Sequence, residues 1–162
     1  MNIKLTPVNI KDKNKLGDML RVYQTEMFEK DMGKYKYLDS YWKNPRRFPF
    51  FVMIDSDIAG LVLINDYTII LDKGNSISEF YISKDFREKG VGKEAARLAF
   101  NMFPRKWELR ELKNNKGAHS FWNTIISGFT NNKYTEVYTD DDKWDGWIIT
   151  FDMNGKLFPK TF

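Results

Sequence analysis

Cysteine is absent from the 162 residues, and histidine occurs once, at His119. Without cysteine there are no disulfides, no thiolate nucleophile and no Cys-ligated metal. One histidine cannot build a centre from several imidazoles, so no metal site is expected. Proline is also scarce, at 5 residues, and no Pro or Gly/Ser run, repeat or low-complexity tract divides the chain. A single domain spanning 1–162 is the expectation, at a length that supports one hydrophobic core. Long apolar runs are missing too. Nothing approaches the roughly 20 residues of a membrane span, mean hydropathy is −0.55, and residues 1–7 lack the apolar stretch of a secretory leader. A cytoplasmic protein without membrane attachment is expected. What the chain does have is 42% hydrophobic and 16% aromatic residues, too rich a supply for disorder.

Charge is mildly positive, 26 Lys+Arg against 22 Asp+Glu. Residues 1–50 hold 11 basic and 6 acidic side chains, whereas 131–162 hold 4 and 6. A nucleic-acid binder is not expected from so uneven a distribution, although it fits an anionic ligand near part of the chain.

Hydrophobic spacing predicts the order β-α-(α)-β-β-β-α-β-α-β-β. A short strand covers 2–6. Leu16, Met19, Leu20, Tyr23 and Met27 mark a helix over 11–32 that ends at Gly33. An aromatic stretch, 34–44, predicts a short second helix. Strands over 48–54 and 58–64 flank Asp55-Ser56-Asp57 as a hairpin. A strand over 76–83 alternates Ile77, Glu79 and Tyr81 with Ser78, Phe80 and Ile82. Val91, Ala95, Leu98, Ala99 and Met102 form the stripe of an amphipathic helix. A strand at 107–112, a helix over 117–127 ending at Gly128, and strands at 133–138 and 144–151 complete the chain. The crossover at 76–112 requires a parallel pair. The fold class is therefore α+β, with a mixed sheet of six to seven strands and helices on both faces.

Residues 81–93, Tyr-Ile-Ser-Lys-Asp-Phe-Arg-Glu-Lys-Gly-Val-Gly-Lys, carry the chemistry. A strand ends, a charged loop follows, and a helix opens on Gly90 and Gly92. Such an opening presents unpaired backbone N–H groups at the positive end of a helix dipole, and glycine lets an oxygen approach the backbone. That is an anion site suited to phosphate or pyrophosphate. It lies in a basic window: 84–116 holds ten basic and five acidic side chains. A Walker A loop is excluded, because Glu94 follows Lys93 where a metal-binding hydroxyl is required. Gly90, Gly92 and Ala95 match Gly-x-Gly-x-x-Gly/Ala, but a dinucleotide fingerprint follows its strand directly, and seven residues separate Ile82 from Gly90.

Arg87-x-x-Gly90-x-Gly92 after a strand resembles the acetyl-CoA motif of the GNAT N-acetyltransferase superfamily. Downstream, Asn115-x-x-Ala118-x-x-Phe121-Trp122, with Gly128-Phe129 beyond, resembles that superfamily's Asn-x-x-Ala-x-x-Phe/Leu-Tyr segment. The resemblance covers nearly the whole chain. It implies a GNAT fold and transfer of an acetyl group from acetyl-CoA to a primary amine, by direct attack. The acceptor would be a small molecule or a peptide, and the protein a monomer or homodimer.

The resemblance also implies site roles. The backbone of Phe80, Tyr81 and Ile82 would bond the pantetheine arm. The pyrophosphate would lie on the N–H groups of Glu88, Lys89, Gly90, Val91 and Gly92, with Arg87 or Lys89 neutralising it. Asn115 would reach the cofactor; its position also suits a helix N-cap. Phe121 and Trp122 would wall the cofactor, although core packing accounts for Phe121 equally. Trp122 stands where many members have the tyrosine that protonates the leaving thiolate, and an indole cannot transfer that proton. Water, Tyr81, Tyr134 or Tyr138 is left for that role, or the protein is an inactive acyl-CoA-binding module. Glu79 matches a common position for the base; a salt bridge to Arg110 is its alternative, and Glu108 the reserve. His119 is expected on a helix surface. Tyr35, Tyr37, Tyr41, Trp42, Asp140, Asp141, Asp142 and Asp145 are candidates for the acceptor side.

Overall fold

A backbone turn of two residues fixes the first hairpin. Asp55 takes φ 52°, a left-handed value that Asp tolerates better than most residues, and joins β2 (Arg47–Ile54) to β3 (Asp57–Asn65). The computed structural model describes residues 1–160. The other strands are β1 (Ile3–Pro7), β4 (Asn75–Ile82), β5 (Lys106–Leu112), β6 (Thr135–Asp140) and β7 (Asp145–Asp152). The helices are α1 (Lys13–Phe28), α2 (Val91–Met102) and α3 (Lys116–Thr130). The protein is an α+β chain with a seven-stranded mixed sheet.

Contacts group the chain into two compact units, 1–65 with 79–95 and 66–78 with 96 onward. Of the three boundaries, one follows the end of β3 at Asn65, one cuts β4 between Ser78 and Glu79, and one cuts α2 between Ala95 and Ala96. In the first unit the order is β1-β2-β3-β4, with β1–β2 and β2–β3 antiparallel. α1 lays Leu16 and Leu20 into a core with Val8, Tyr35, Leu38, Tyr41, Phe51, Leu61, Leu63 and Tyr81. In the second unit the order is β4-β5-β7-β6. Here β4 and β5 run parallel, Asn75 facing Trp107 and Ile77 facing Leu109, as the predicted crossover requires. The core of this unit gathers on Phe100 of α2, whose ring meets Trp107 and Phe151 at 5.0 Å, and Trp122 and Phe158 at 6.1 Å.

Three element ends differ from the sequence expectation, each for a local reason. α1 stops at Phe28 because Glu29 turns left-handed at φ 57°, four residues before Gly33. α3 runs through Gly128 to Thr130 and is capped by Asn131, also left-handed, whose N–H bonds Ser127 O. Asparagine supplied the αL terminus assigned to glycine. The 34–44 stretch forms only a 3-10 turn, Leu38–Trp42.

Two glycines are required by proximity, Gly60 and Gly146, each of which would bring a Cβ to 2.0 Å from a backbone oxygen. A Cβ on Gly60 of β3 would lie 2.0 Å from the carbonyl oxygen of Tyr81, so β3 passes β4 too closely for any side chain. Gly60→Ala is expected to lower stability by about 2–3 kcal/mol through overpacking against backbone. Gly128→Ala, where a Cβ meets nothing within 4 Å, is expected to add about 0.5–1 kcal/mol through helix propensity. Urea midpoints of the two variants at unchanged slope check both signs.

Candidate active site

In the first unit, β4 ends and a 3-10 turn, Lys84–Phe86, carries the chain towards α2. The loop is shaped by two left-handed residues, Glu88 at φ 61° and Gly90 at φ 77°. Backbone bonds hold its start: Phe86 N–H donates to Ser83 O, and Arg87 N–H to Lys84 O. The first bond of α2 runs from Glu94 N–H to Gly90 O, so the N–H groups of Val91, Gly92 and Lys93 precede the helical ladder. A Cβ at Gly90 would meet nothing within 4 Å, so the space beside Gly90 itself is open. This arrangement fits an anion such as pyrophosphate.

Side chains of the loop are arranged differently from expectation. Arg87 Nε donates to Ile82 O at 2.8 Å, and its Nη2 donates to Glu26 Oε2 at 2.7 Å. Its guanidinium also lies 5.4 Å from the Tyr81 ring centroid. Glu26 of α1 accepts from the Tyr81 hydroxyl as well, at 2.9 Å. Burial works against the Glu26 carboxylate, but Arg87 and Tyr81 hold its pKa below the usual value. Lys89 Nζ donates to Asp85 O at 2.8 Å. Both cations that were expected to neutralise a phosphate thus brace the loop.

Glu79, on the face of β4 that carries Tyr81, is half-buried. The Tyr35 hydroxyl donates to its Oε1 at 3.2 Å, and the Tyr23 hydroxyl bonds the same carboxylate. Burial pushes its pKa up to about 7, against the pull of these two donors. The phenols are pushed up in turn, by burial and by the Glu79 charge, and so remain protonated donors. The sequence did not connect either tyrosine to Glu79, because Tyr23 sits in the apolar stripe of α1 and reads as core. A carboxylate one strand away is the only signal, and it has no sequence period.

In the second unit, Asn115 caps α3: its Oδ1 accepts from Ala118 N–H at 3.1 Å. Trp122 is 7% exposed and packs on Phe100; Phe121 is half-buried, its ring 4.9 Å from Trp122 edge-on. Arg110 pairs with Glu108 at 2.7 Å, so Glu79 has phenols for partners and Arg110 has a carboxylate of its own. Glu108 is fully buried and accepts from the N–H groups of Ile69, Ile70 and Leu71 at 2.7–2.9 Å. Burial disfavours its charge, but these donors and Arg110 outweigh it and keep its pKa low. A saturated carboxylate makes a poor base, which removes Glu108 as the reserve. His119 lies on α3 as expected, half-buried and with partners. Its Nδ1 lies 2.6 Å from Glu111 Oε2 and its Nε2 3.2 Å from Glu136 Oε1, and its ring stacks on Trp147 at 4.7 Å.

Among the acceptor-side candidates, Tyr35 and Tyr41 belong to the first core, Tyr37 is exposed, and Trp42 Nε1 donates to Val8 O. Asp141 accepts from the N–H groups of Lys143 and Trp144 to form the β6–β7 turn. Asp145 pairs with Lys113 at 2.8 Å and accepts from the Tyr138 hydroxyl at 3.4 Å. Among the described residues, no group of three or more His, Cys, Asp or Glu is placed to hold a metal ion, and no helix is long and apolar enough to cross a membrane.

The profile of the Acetyltransferase (GNAT) family matches residues 14–129. No curated protein matches the chain. Solved structures share its fold. An acetyltransferase from Thermus thermophilus is 17% identical, with a TM-score of 0.71 over 94% of this chain and 97% of its own. An aminoglycoside acetyltransferase in complex with coenzyme A is 13% identical, with a TM-score of 0.67 over 95% and 96%. A spermidine N-acetyltransferase from Vibrio cholerae, in complex with CoA and spermine, is 11% identical, with a TM-score of 0.65 over 94% and 96%. This chain belongs to the GNAT acetyltransferase family.

The raised Glu79 pKa has a consequence for stability. A carboxyl whose folded pKa lies above its unfolded value, here about 7 against the ordinary 4.5, contributes stability below the unfolded pKa and loses it as pH rises through the folded one. Glu79→Gln, which cannot ionise, is therefore expected to match the parent at pH 4 and to exceed it by about 1–2 kcal/mol at pH 8. Denaturant unfolding at the two pH values checks this; equal stability of the two proteins at pH 8 contradicts it.

Proposed function

We propose that this protein transfers an acetyl group from acetyl-CoA to a primary amine by direct attack, in the cytoplasm and without a metal. The single observation that carries this reading is Glu79: a carboxylate held by two phenols, with a pKa near neutrality, on the strand that leads into the glycine loop. An alkylammonium must lose its proton before it can attack, and a base that titrates near pH 7 accepts it at working pH. Bound acetyl-CoA supplies the activated thioester.

The loop residues would do the holding. The amides of Glu88, Lys89, Gly90, Val91 and Gly92 receive the pyrophosphate, and Arg87 and Lys89 keep the loop in shape for it. The backbone of Phe80, Tyr81 and Ile82 binds the pantetheine arm. Asn115 keeps its cap and contacts the cofactor by the family pattern, as do Phe121 and Trp122. The acceptor is a small-molecule or peptide amine, the protein acts as a monomer or homodimer, and the two units unfold as one domain.

A second reading, an acyl-CoA-binding module without catalysis, is favoured by Trp122, which offers no transferable proton. Release of free CoA across a panel of primary amines separates the two: turnover supports the enzyme, and binding without turnover supports the module.

Cofactor binding and turnover report on these residues separately. Millimolar acetyl-CoA is expected to raise Tm, because it binds only the native state, and Gly90→Glu is expected to abolish that rise. The new carboxylate would enter the open space beside residue 90 and repel the pyrophosphate. Retained affinity in a folded Gly90→Glu protein would sink the loop assignment. Glu79→Gln is expected to lower kcat/KM at pH 7 by about 10²-fold, with a defect that shrinks as pH rises and the amine neutralises itself. Full activity at pH 7 removes Glu79 from the mechanism.

A further inference from the structure

A base in a protein interior needs more than a raised pKa. Its carboxylate must face one direction, and its charged form must have donors that burial would otherwise remove. Glu79 meets both needs through two hydroxyls from separate segments. Tyr23 reaches it from α1, and Tyr35 from the stretch between α1 and the 3-10 turn Leu38–Trp42. Neither phenol is independent. The Tyr23 ring lies 5.3 Å from the Tyr81 ring, and the Tyr81 hydroxyl is itself held by Glu26. Tyr35 is buried beside Tyr41 and bonds its hydroxyl.

We propose that Tyr23 and Tyr35 are positioning residues for the reaction, fixing the Glu79 carboxylate and sustaining its proton-accepting form. The proposal rests on the reading of Glu79 as the base. Both phenols are pushed well above their ordinary pKa by burial and by the facing carboxylate, so they donate hydrogen bonds and release no proton. The groups that bear on Glu79 are these two hydroxyls, with Tyr41 behind Tyr35. Charges further along the network are Arg47, over the Tyr37 and Tyr41 rings at 5.3 and 5.5 Å, and the Glu26–Arg87 pair beside Tyr81.

The test uses the full chain with Tyr23→Phe, Tyr35→Phe and the double variant, which keep the rings and remove only the hydroxyls. Carbon-13 NMR of labelled glutamate carboxyls, with Glu79→Gln to assign the signal, reads the titration without any substrate. Each single change is expected to raise the Glu79 midpoint by about half a unit or more, since a donor to the charged form is lost, and the double change by more. In the acetylation assay the acid limb of kcat/KM is expected to move up by the same amount. Activity at pH 6 then falls several-fold and recovers by pH 9. A lowered Tm with an unmoved NMR midpoint and an unmoved limb means that the tyrosines only pack, and overturns the proposal. If the parent acetylates no amine, the base reading falls instead, and the NMR midpoint still decides whether the hydroxyls govern the carboxylate.

Discussion

A carboxylate leaves water only where donors take water's place, and three glutamates of this sheet live under that constraint. Each meets it differently. Glu108 is saturated by three consecutive backbone N–H groups and Arg110, and its carboxyl pKa falls. Glu111 has the imidazole of His119 on one oxygen, while its other oxygen, Oε1, is buried without a partner, and burial raises its pKa. Glu79 receives two neutral phenols, donors too weak to offset its burial. The number and charge of the donors set Glu108 apart from the other two acids. Glu108 is a fixed charge that ties down residues 69–71, Glu111 anchors a helix through its histidine, and Glu79 is poised near neutrality with neutral donors.

That contrast explains how the site differs from a simple list of acidic residues. Strand position alone makes Glu79, Glu108 and Glu111 look alike as acids within a sheet. What distinguishes them is the partner that the tertiary structure delivers: a loop backbone, an imidazole or a pair of phenols. The last of these keeps a carboxylate capable of accepting a proton, because neutral donors stabilise the charge less than a guanidinium does.

Much of the architecture was legible because it is written in short-range pattern. The alternation in β4, the stripe of α2 and the crossover between them gave the parallel pairing that was found. The glycine loop was legible for the same reason, since Gly90 does adopt a left-handed φ and the helix does open behind it. Helix ends were less legible: Glu29 and Asn131 terminate α1 and α3 in a conformation that glycine adopts most readily, and residue type alone did not distinguish them from Gly33 and Gly128. The side-chain roles of Arg87 and Lys89 were read from charge, yet their partners, Glu26 and the Asp85 carbonyl, are set by folding. Tyr35 was legible as an acceptor-side candidate, but its link to Glu79, like that of Tyr23 to Glu79 and of His119 to Glu111 and Glu136, was not, because these partners lie 44, 56 and 8 or 17 residues away on other elements.

The loop that opens α2 offers backbone rather than side chains, because its arginine is spent on Glu26 and its lysine on a carbonyl. An amide N–H is present whichever residue carries it, so a binding surface made of amides places almost no demand on residue identity beyond the left-handed turn. Mutation can then rewrite the surrounding side chains while the binding geometry persists. The fold is shared with structures 11–17% identical to this chain, and on the proposed function what such a loop requires of its sequence is φ angles and not charges.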